Sequence, residues 1–106
     1  MYYLLDENKM PYKVDFREGL KVYDDINMKV TKQDNFDGAR VSTVFLGLDY
    51  GYGDRDSPDY QPILWETMVF GGEYDEYQER YTSHEEALKG HERMVELVKQ
   101  SLQTKS

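Results

Sequence analysis

The strongest constraint on the fold lies near the carboxy-terminal end. Ser83-His84-Glu85-Glu86 has the spacing of a capping box, with Ser83 as N-cap and Glu86 three residues on. Behind it Ala87, Leu88, His91, Met94, Val95, Val98 and Leu102 recur along one stripe at helical spacing. Lys89, Glu92, Arg93, Glu96 and Lys99 take the rest of the surface. The pattern predicts a helix over residues 84–102 with one face that must be covered. His91 sits inside the stripe and is expected to be a packed, hydrogen-bonded core histidine beside Met94 and Val95. His84 is expected at the surface of the first turn.

A sheet supplies the cover. Residues 40–48 (RVSTVFLGL) and 62–70 (PILWETMVF) are rich in β-branched and aromatic side chains, with apolar groups on both faces, and read as two central strands. Met28 and Val30 alternate with Lys29 and Thr31 as a half-buried strand. Residues 77–81 read as an edge strand that Glu79 and Arg80 protect from pairing with other chains. Asn35-Phe36-Asp37-Gly38 is turn chemistry, residues 49–61 a loop, and Gly71-Gly72 a stop. Upstream, Asp15 with Glu18 predicts the start of a short helix whose face is Phe16, Leu20 and Tyr23. Residues 1–14 are expected as an arm or hairpin and 103–106 as a frayed tail. Sequential strands usually pair with their neighbours. The expectation is an α+β fold: an antiparallel meander of three or four strands, a short amino-terminal helix, and the long helix packed on the sheet. A chain of 106 residues suits one domain, residues 1–106, with a single core.

Charge narrows the function classes. The formal net charge is −8, and residues 49–79 hold nine acids against Arg55 alone, whereas the flanking segments are nearly neutral. Such a surface repels nucleic acid and anionic membrane and attracts basic partners. No cysteine is present, which removes disulfides, thiolate metal sites and cysteine nucleophiles. No apolar run approaches the ~20 residues of a membrane span, and the amino terminus does not follow a signal-peptide plan. A bacterial cytoplasm is the expected location.

Chemistry-bearing patterns are sparse. Asp49-Tyr50-Gly51-Tyr52-Gly53-Asp54-Arg55-Asp56 combines aspartates and glycines, but it lacks the EF-hand order and its closing glutamate. It is read as a solvated loop and not as a metal site. His84 and His91 are seven residues apart, two helical turns, so they do not share one ion. Glu66 lies on a strand face with Leu64, Met68 and Phe70, where it would be an acid–base group or the partner of a base. Ser42 and Thr43 have no base nearby in sequence. The expectation is no catalytic residue, no metal and no cofactor.

Tyrosines interleave with the acids. Asp49, Tyr50, Tyr52, Asp54, Asp56, Asp59, Tyr60, Glu73, Tyr74, Asp75, Glu76 and Tyr77 are read either as a solvated rim or as a partner-binding face. Tyrosine suits interface anchors, and carboxylates suit a partner rich in arginine or lysine.

Two runs, Val41-Ser42-Thr43-Val44-Phe45-Leu46-Gly47-Leu48-Asp49 and Leu64-Trp65-Glu66-Thr67-Met68-Val69-Phe70-Gly71-Gly72, carry a resemblance. With Glu79-Arg80-Tyr81, Glu86-Ala87 and Gly90-His91, they are similar to a family of small proteins encoded by bacteriophages and prophages. The similarity spans about residues 27–98 and implies phage origin without a particular activity. In that family a histidine often follows the aspartate of the first run. Here Tyr50 stands there, against a metal or acid–base role for the loop. Phage origin makes three readings relevant. The first is a non-enzymatic, anti-CRISPR-like inhibitor whose acidic face blocks a basic groove of a host nuclease or defence effector. The others are a structural or regulatory phage accessory protein, and a small enzyme or signalling-nucleotide binder.

Overall fold

The computed structural model describes residues 1–103 except Tyr52 and Arg55, and the side chains of Tyr23, Ile26 and Asn27 also fall outside the description. Strands β1 (Tyr2–Leu5) and β2 (Pro11–Val14) form an amino-terminal hairpin. Three four-residue helices follow: α1 (Phe16–Gly19), α2 (Lys21–Asp24) and α3 (Ile26–Lys29). Then come β3 (Val30–Phe36), β4 (Ala39–Phe45), β5 (Trp65–Phe70) and β6 (Gln78–Tyr81), all antiparallel and side by side in chain order, and finally α4 (His84–Gln103). The α+β fold, the four-stranded meander, the hairpin and the long helix all match the sequence expectation. Gln103 is the last helical residue rather than the first of a tail, and 104–106 lie outside the described residues.

Local chemistry explains the elements. The amide of Glu86 donates to Ser83 Oγ at 3.1 Å, so the N-cap of α4 forms. The Glu86 carboxylate does not complete the box and instead accepts from Thr82 Oγ1 at 3.4 Å. At α1 the amide of Glu18 donates to Asp15 Oδ1 at 2.9 Å, as the sequence pattern implies. The rest of that predicted helix differs. Phe16 and Leu20 are exposed, whereas Gly19 and Val22 are buried. The reason is contact with β1: a Cβ on Gly19 would come within 2.6 Å of Tyr2 side-chain atoms, so the chain presents its bare backbone there. Phe16 meets the Tyr2 ring edge-on from outside, with centroids 5.5 Å apart. Met28 belongs to α3 instead of a strand, and β3 starts at Val30 with a register shift before Lys32.

Alternation assigns the sheet faces. Ala39, Val41, Thr43 and Phe45 of β4, and Trp65, Thr67 and Val69 of β5, are buried beneath the helical layer. Lys32, Asp34 and Phe36 of β3, with Glu79 and Tyr81 of β6, share that face by register. Both edge strands are tied to α4 by charge, Lys32 to Glu92 and Glu79 to Arg93.

The expected single core is divided into two clusters. One joins Tyr3, Leu4, Val22, Phe45, Leu64, Trp65, Tyr81 and Ala87 beneath the hairpin. The other joins Ala39, Val41, Val69, Met94, Val95 and Val98 beneath the second half of α4. The hairpin therefore extends the helical layer lengthwise, and the radius of gyration is 15.2 Å against about 13 Å for a compact chain of this size.

Candidate functional site

The loop between β4 and β5 begins on Asp49, which is buried. Its carboxylate accepts from the amides of Gly51 (2.7 Å) and Ile63 (3.0 Å) and from the phenol of Tyr60. Asp49 and Tyr60, both expected on the partner-binding face, are thus turned toward each other to close the loop. Three donors already occupy this carboxylate, which accounts physically for its burial. Asp54, Asp56 and Asp59 are exposed, and the amide of Asp56 donates to Asp54 Oδ1 at 2.9 Å in a local turn. Tyr50 is exposed, with the Arg80 guanidinium 5.0 Å over its ring. Tyr52 lies outside the described residues.

The second acidic segment lies at the opposite end of β5. The amide of Gly71 donates to Asp75 Oδ1 at 2.7 Å, and the amide of Glu76, at φ +70°, donates to the Val69 carbonyl at 2.8 Å. Glu73, Asp75 and Glu76 are exposed. Tyr74 is half-buried against the second apolar cluster, so its ring is partly spent on the core. Tyr77 is exposed and donates to Glu79 Oε2 at 3.0 Å; accepting that hydrogen bond, Glu79 holds the phenol proton more tightly than usual.

The predicted face is therefore two acidic poles rather than one. They are separated by the six residues of β5, about 20 Å of strand. The pole at 73–76 gains a member that reading by segment missed. Gly71 abuts the Gly38 carbonyl, where a Cβ would collide, and this brings the exposed Asp37 of the β3–β4 turn alongside. Only strand pairing makes that neighbour visible.

Between the poles runs the sheet face opposite α4. Arg40 stands over Phe70 with its guanidinium 4.5 Å from the ring centroid, and Phe70 is 41% exposed. Met68 and Val44 are half-buried. Glu66 accepts from Arg80 Nε at 2.8 Å and from Gln78 Nε2 at 3.0 Å, so it is the partner of a base. Residues 40–48 and 62–70 carry apolar groups on both faces, so nothing in the sequence said which face the helix would cover.

A buried polar row crosses the molecule between the two apolar clusters. The Tyr81 hydroxyl donates to Thr67 Oγ1 at 2.9 Å, Thr67 and Thr43 hydroxyls lie 2.5 Å apart, and Thr43 Oγ1 is 2.7 Å from His91 Nδ1. His91 Nε2 is 2.7 Å from Asp34 Oδ2. One assignment uses every hydrogen: Tyr81 donates to Thr67, Thr67 to Thr43, Thr43 to an unprotonated Nδ1, and Nε2–H to the carboxylate. In that assignment both ring nitrogens of His91 are occupied, Nδ1 by Thr43 and Nε2 by Asp34. Burial keeps the Tyr81 phenol protonated beyond its ordinary range. The sequence placed His91 in the core correctly, but its partners Asp34 and Thr43 come from two strands, and Thr67 and Tyr81 farther along the row from two more. The order acid, imidazole, hydroxyl has the chemistry of a nucleophilic triad, yet Thr43 and His91 have no exposed surface for a substrate to reach. The row ties α4 to all four strands of the sheet.

The fold and its surface define a two-layer α+β protein with an acidic pole at each end of a partly open sheet. Compared with protein-family models, with curated proteins and with solved structures, the chain matches none. No helix among the described residues is long and apolar enough to cross a membrane, and no cluster of three metal-ligating side chains occurs among them.

Proposed function

We propose that the chain is a non-enzymatic protein-binding module that docks on a basic protein through its acidic poles and the sheet face between them. The observation that carries this reading is the charge map: residues 49–79 hold nine acids against one base, and Asp54, Asp56, Asp59, Glu73, Asp75 and Glu76 are exposed. An elongated acidic surface with exposed Tyr50, Tyr77 and Phe70 offers both steering charge and aromatic anchors. The resemblance to phage and prophage proteins implies phage origin only; with that origin, a host nuclease or defence effector is the proposed partner class, whose basic nucleic-acid groove the poles would occupy.

The test is affinity capture from a bacterial host lysate, followed by binding and activity measurements on the captured protein. A basic nuclease whose nucleic-acid binding is competed by this chain, and whose association slows with added salt, supports the reading. Capture of capsid or tail proteins, or association insensitive to salt, overturns it in favour of a structural accessory role.

A further inference from the structure

The strip of sheet between the two acidic poles is not itself acidic. By register, the face turned away from α4 carries two cations, Arg40 and Arg80, against one anion, Glu66. Its neighbouring polar side chains Gln33, Asn35 and Gln78 are amides. Each arginine borders one pole and lies over an exposed ring. Arg80 stands 5.0 Å over Tyr50 beside the first acidic loop, and Arg40 stands 4.5 Å over Phe70 beside the second. Arg80 is matched by Glu66 at 2.8 Å. Among the described residues no carboxylate forms an ion pair with Arg40, so the net positive charge of the strip rests there.

In the free chain Arg40 is exposed, and water serves its guanidinium. A partner that reaches both poles covers the strip and removes that water, and the partner must then supply what the water did. A uniformly basic surface sets like charges against Arg40 and Arg80, which opposes docking. A carboxylate opposite Arg40 instead accepts from the guanidinium fork that the Phe70 ring holds flat. Arginine and aromatic side chains are also the groups enriched among interface anchors. We propose that the partner segment covering this strip is basic at both ends and acidic between. Its lysine or arginine clusters meet the poles, and an aspartate or glutamate beside one cluster meets Arg40 on Phe70. The inference rests on the pole-docking reading and specifies the charge pattern of its partner.

Peptides with two trilysine clusters joined by about six extended residues span the ~20 Å between the poles. They differ at one spacer position next to a cluster, which is glutamate, glutamine or lysine. Dye-labelled versions are titrated against the intact protein by fluorescence anisotropy at low salt. Attraction to the net charge of −8 alone ranks them lysine, glutamine, glutamate, tightest first. The proposed match inverts that order, with glutamate about fivefold tighter than glutamine. Arg40→Gln should restore the net-charge order. Phe70→Ala should shrink the glutamate preference with the charge still in place, and Lys99→Gln on the exposed side of α4 should keep it. Circular dichroism checks that each variant is folded. The net-charge order in the unaltered protein, or a glutamate preference that survives Arg40→Gln, overturns this inference and leaves the poles standing. Affinities undiminished by Glu73→Lys with Glu76→Lys overturn the pole reading instead, and absence of binding by every peptide overturns both.

Discussion

Thr67 accepts from Tyr81 and bonds Thr43, so removing its hydroxyl leaves the buried Tyr81 hydroxyl without a partner and Thr43 with His91 alone. Unpaired buried polar groups cost about 1–3 kcal/mol each. Thr67→Val should therefore destabilise the fold more than Tyr81→Phe, which trims only the end of the row. The double variant should cost less than the two single variants together, because both act on one network. Urea unfolding of the four proteins checks this, and strict additivity would show that the row is not a connected chain. His84 supplies a second prediction. Burial, and then the charge of Lys9, hold its imidazole below the ordinary histidine range. Below pH ~6.5 the unfolded chain takes up a proton that the folded chain refuses, so stability is full above that pH and falls as pH drops through it toward the lowered folded value. His84→Phe should flatten this part of the stability profile, measured by denaturant titration between pH 7.5 and 5. An unchanged slope would place the titration elsewhere.

At the scale of elements, the contact that sets the height of α4 over the sheet is Gly90 against Tyr81. A Cβ on Gly90 would overlap the phenol ring. Two effects oppose each other in Gly90→Ala: the helix gains about 1 kcal/mol in propensity, and overpacking costs about 1–3 kcal/mol. The contact is with a buried ring that is itself hydrogen-bonded to Thr67, so it has little room to yield, and net destabilisation is expected. A raised melting temperature would mean that α4 sits further from β6 than described. The ion pairs Lys32–Glu92 and Glu79–Arg93 flank this contact at either edge of the sheet. Exposed pairs of this kind contribute about 0–1 kcal/mol each, so they orient the helix more than they hold it.

For the whole molecule the separation of the acidic poles has a kinetic consequence. They stand about 20 Å apart along β5, well beyond the screening length of ~8 Å at physiological ionic strength. Each pole should therefore steer a basic partner independently. Reversing Asp54 and Asp56 to lysine, or Glu73 and Glu76 to lysine, should each slow association, and the logarithms of the two losses should add in the combined variant. Glu96 on α4 is the control and should change little; Glu92 is unsuitable because Lys32 occupies it. Surface-plasmon association rates at two salt concentrations provide the measurement. A loss confined to one pole would reduce the docking surface to that end of the sheet.

The sequence alone determined the elements whose signals are local. The Ser83 cap with its apolar stripe specified α4 almost to the residue, and runs of β-branched side chains between turn residues specified the meander, because a helix or strand is encoded by its own period. His91 in the stripe was legible as a core residue for the same reason. What depended on contact between distant segments was not legible. Phe16 and Leu20 have helical spacing, yet β1 accepted the bare side of Gly19, and spacing cannot say which face a neighbour will accept. The charges of residues 49–79 were plain, but a six-residue strand carries its two ends to opposite poles, and a hairpin pairing brings Asp37 to one of them. Asp34, Thr43, Thr67, Tyr81 and His91 come from four strands and a helix, so only tertiary packing, which sets distances that sequence separation does not, could assemble them into one row.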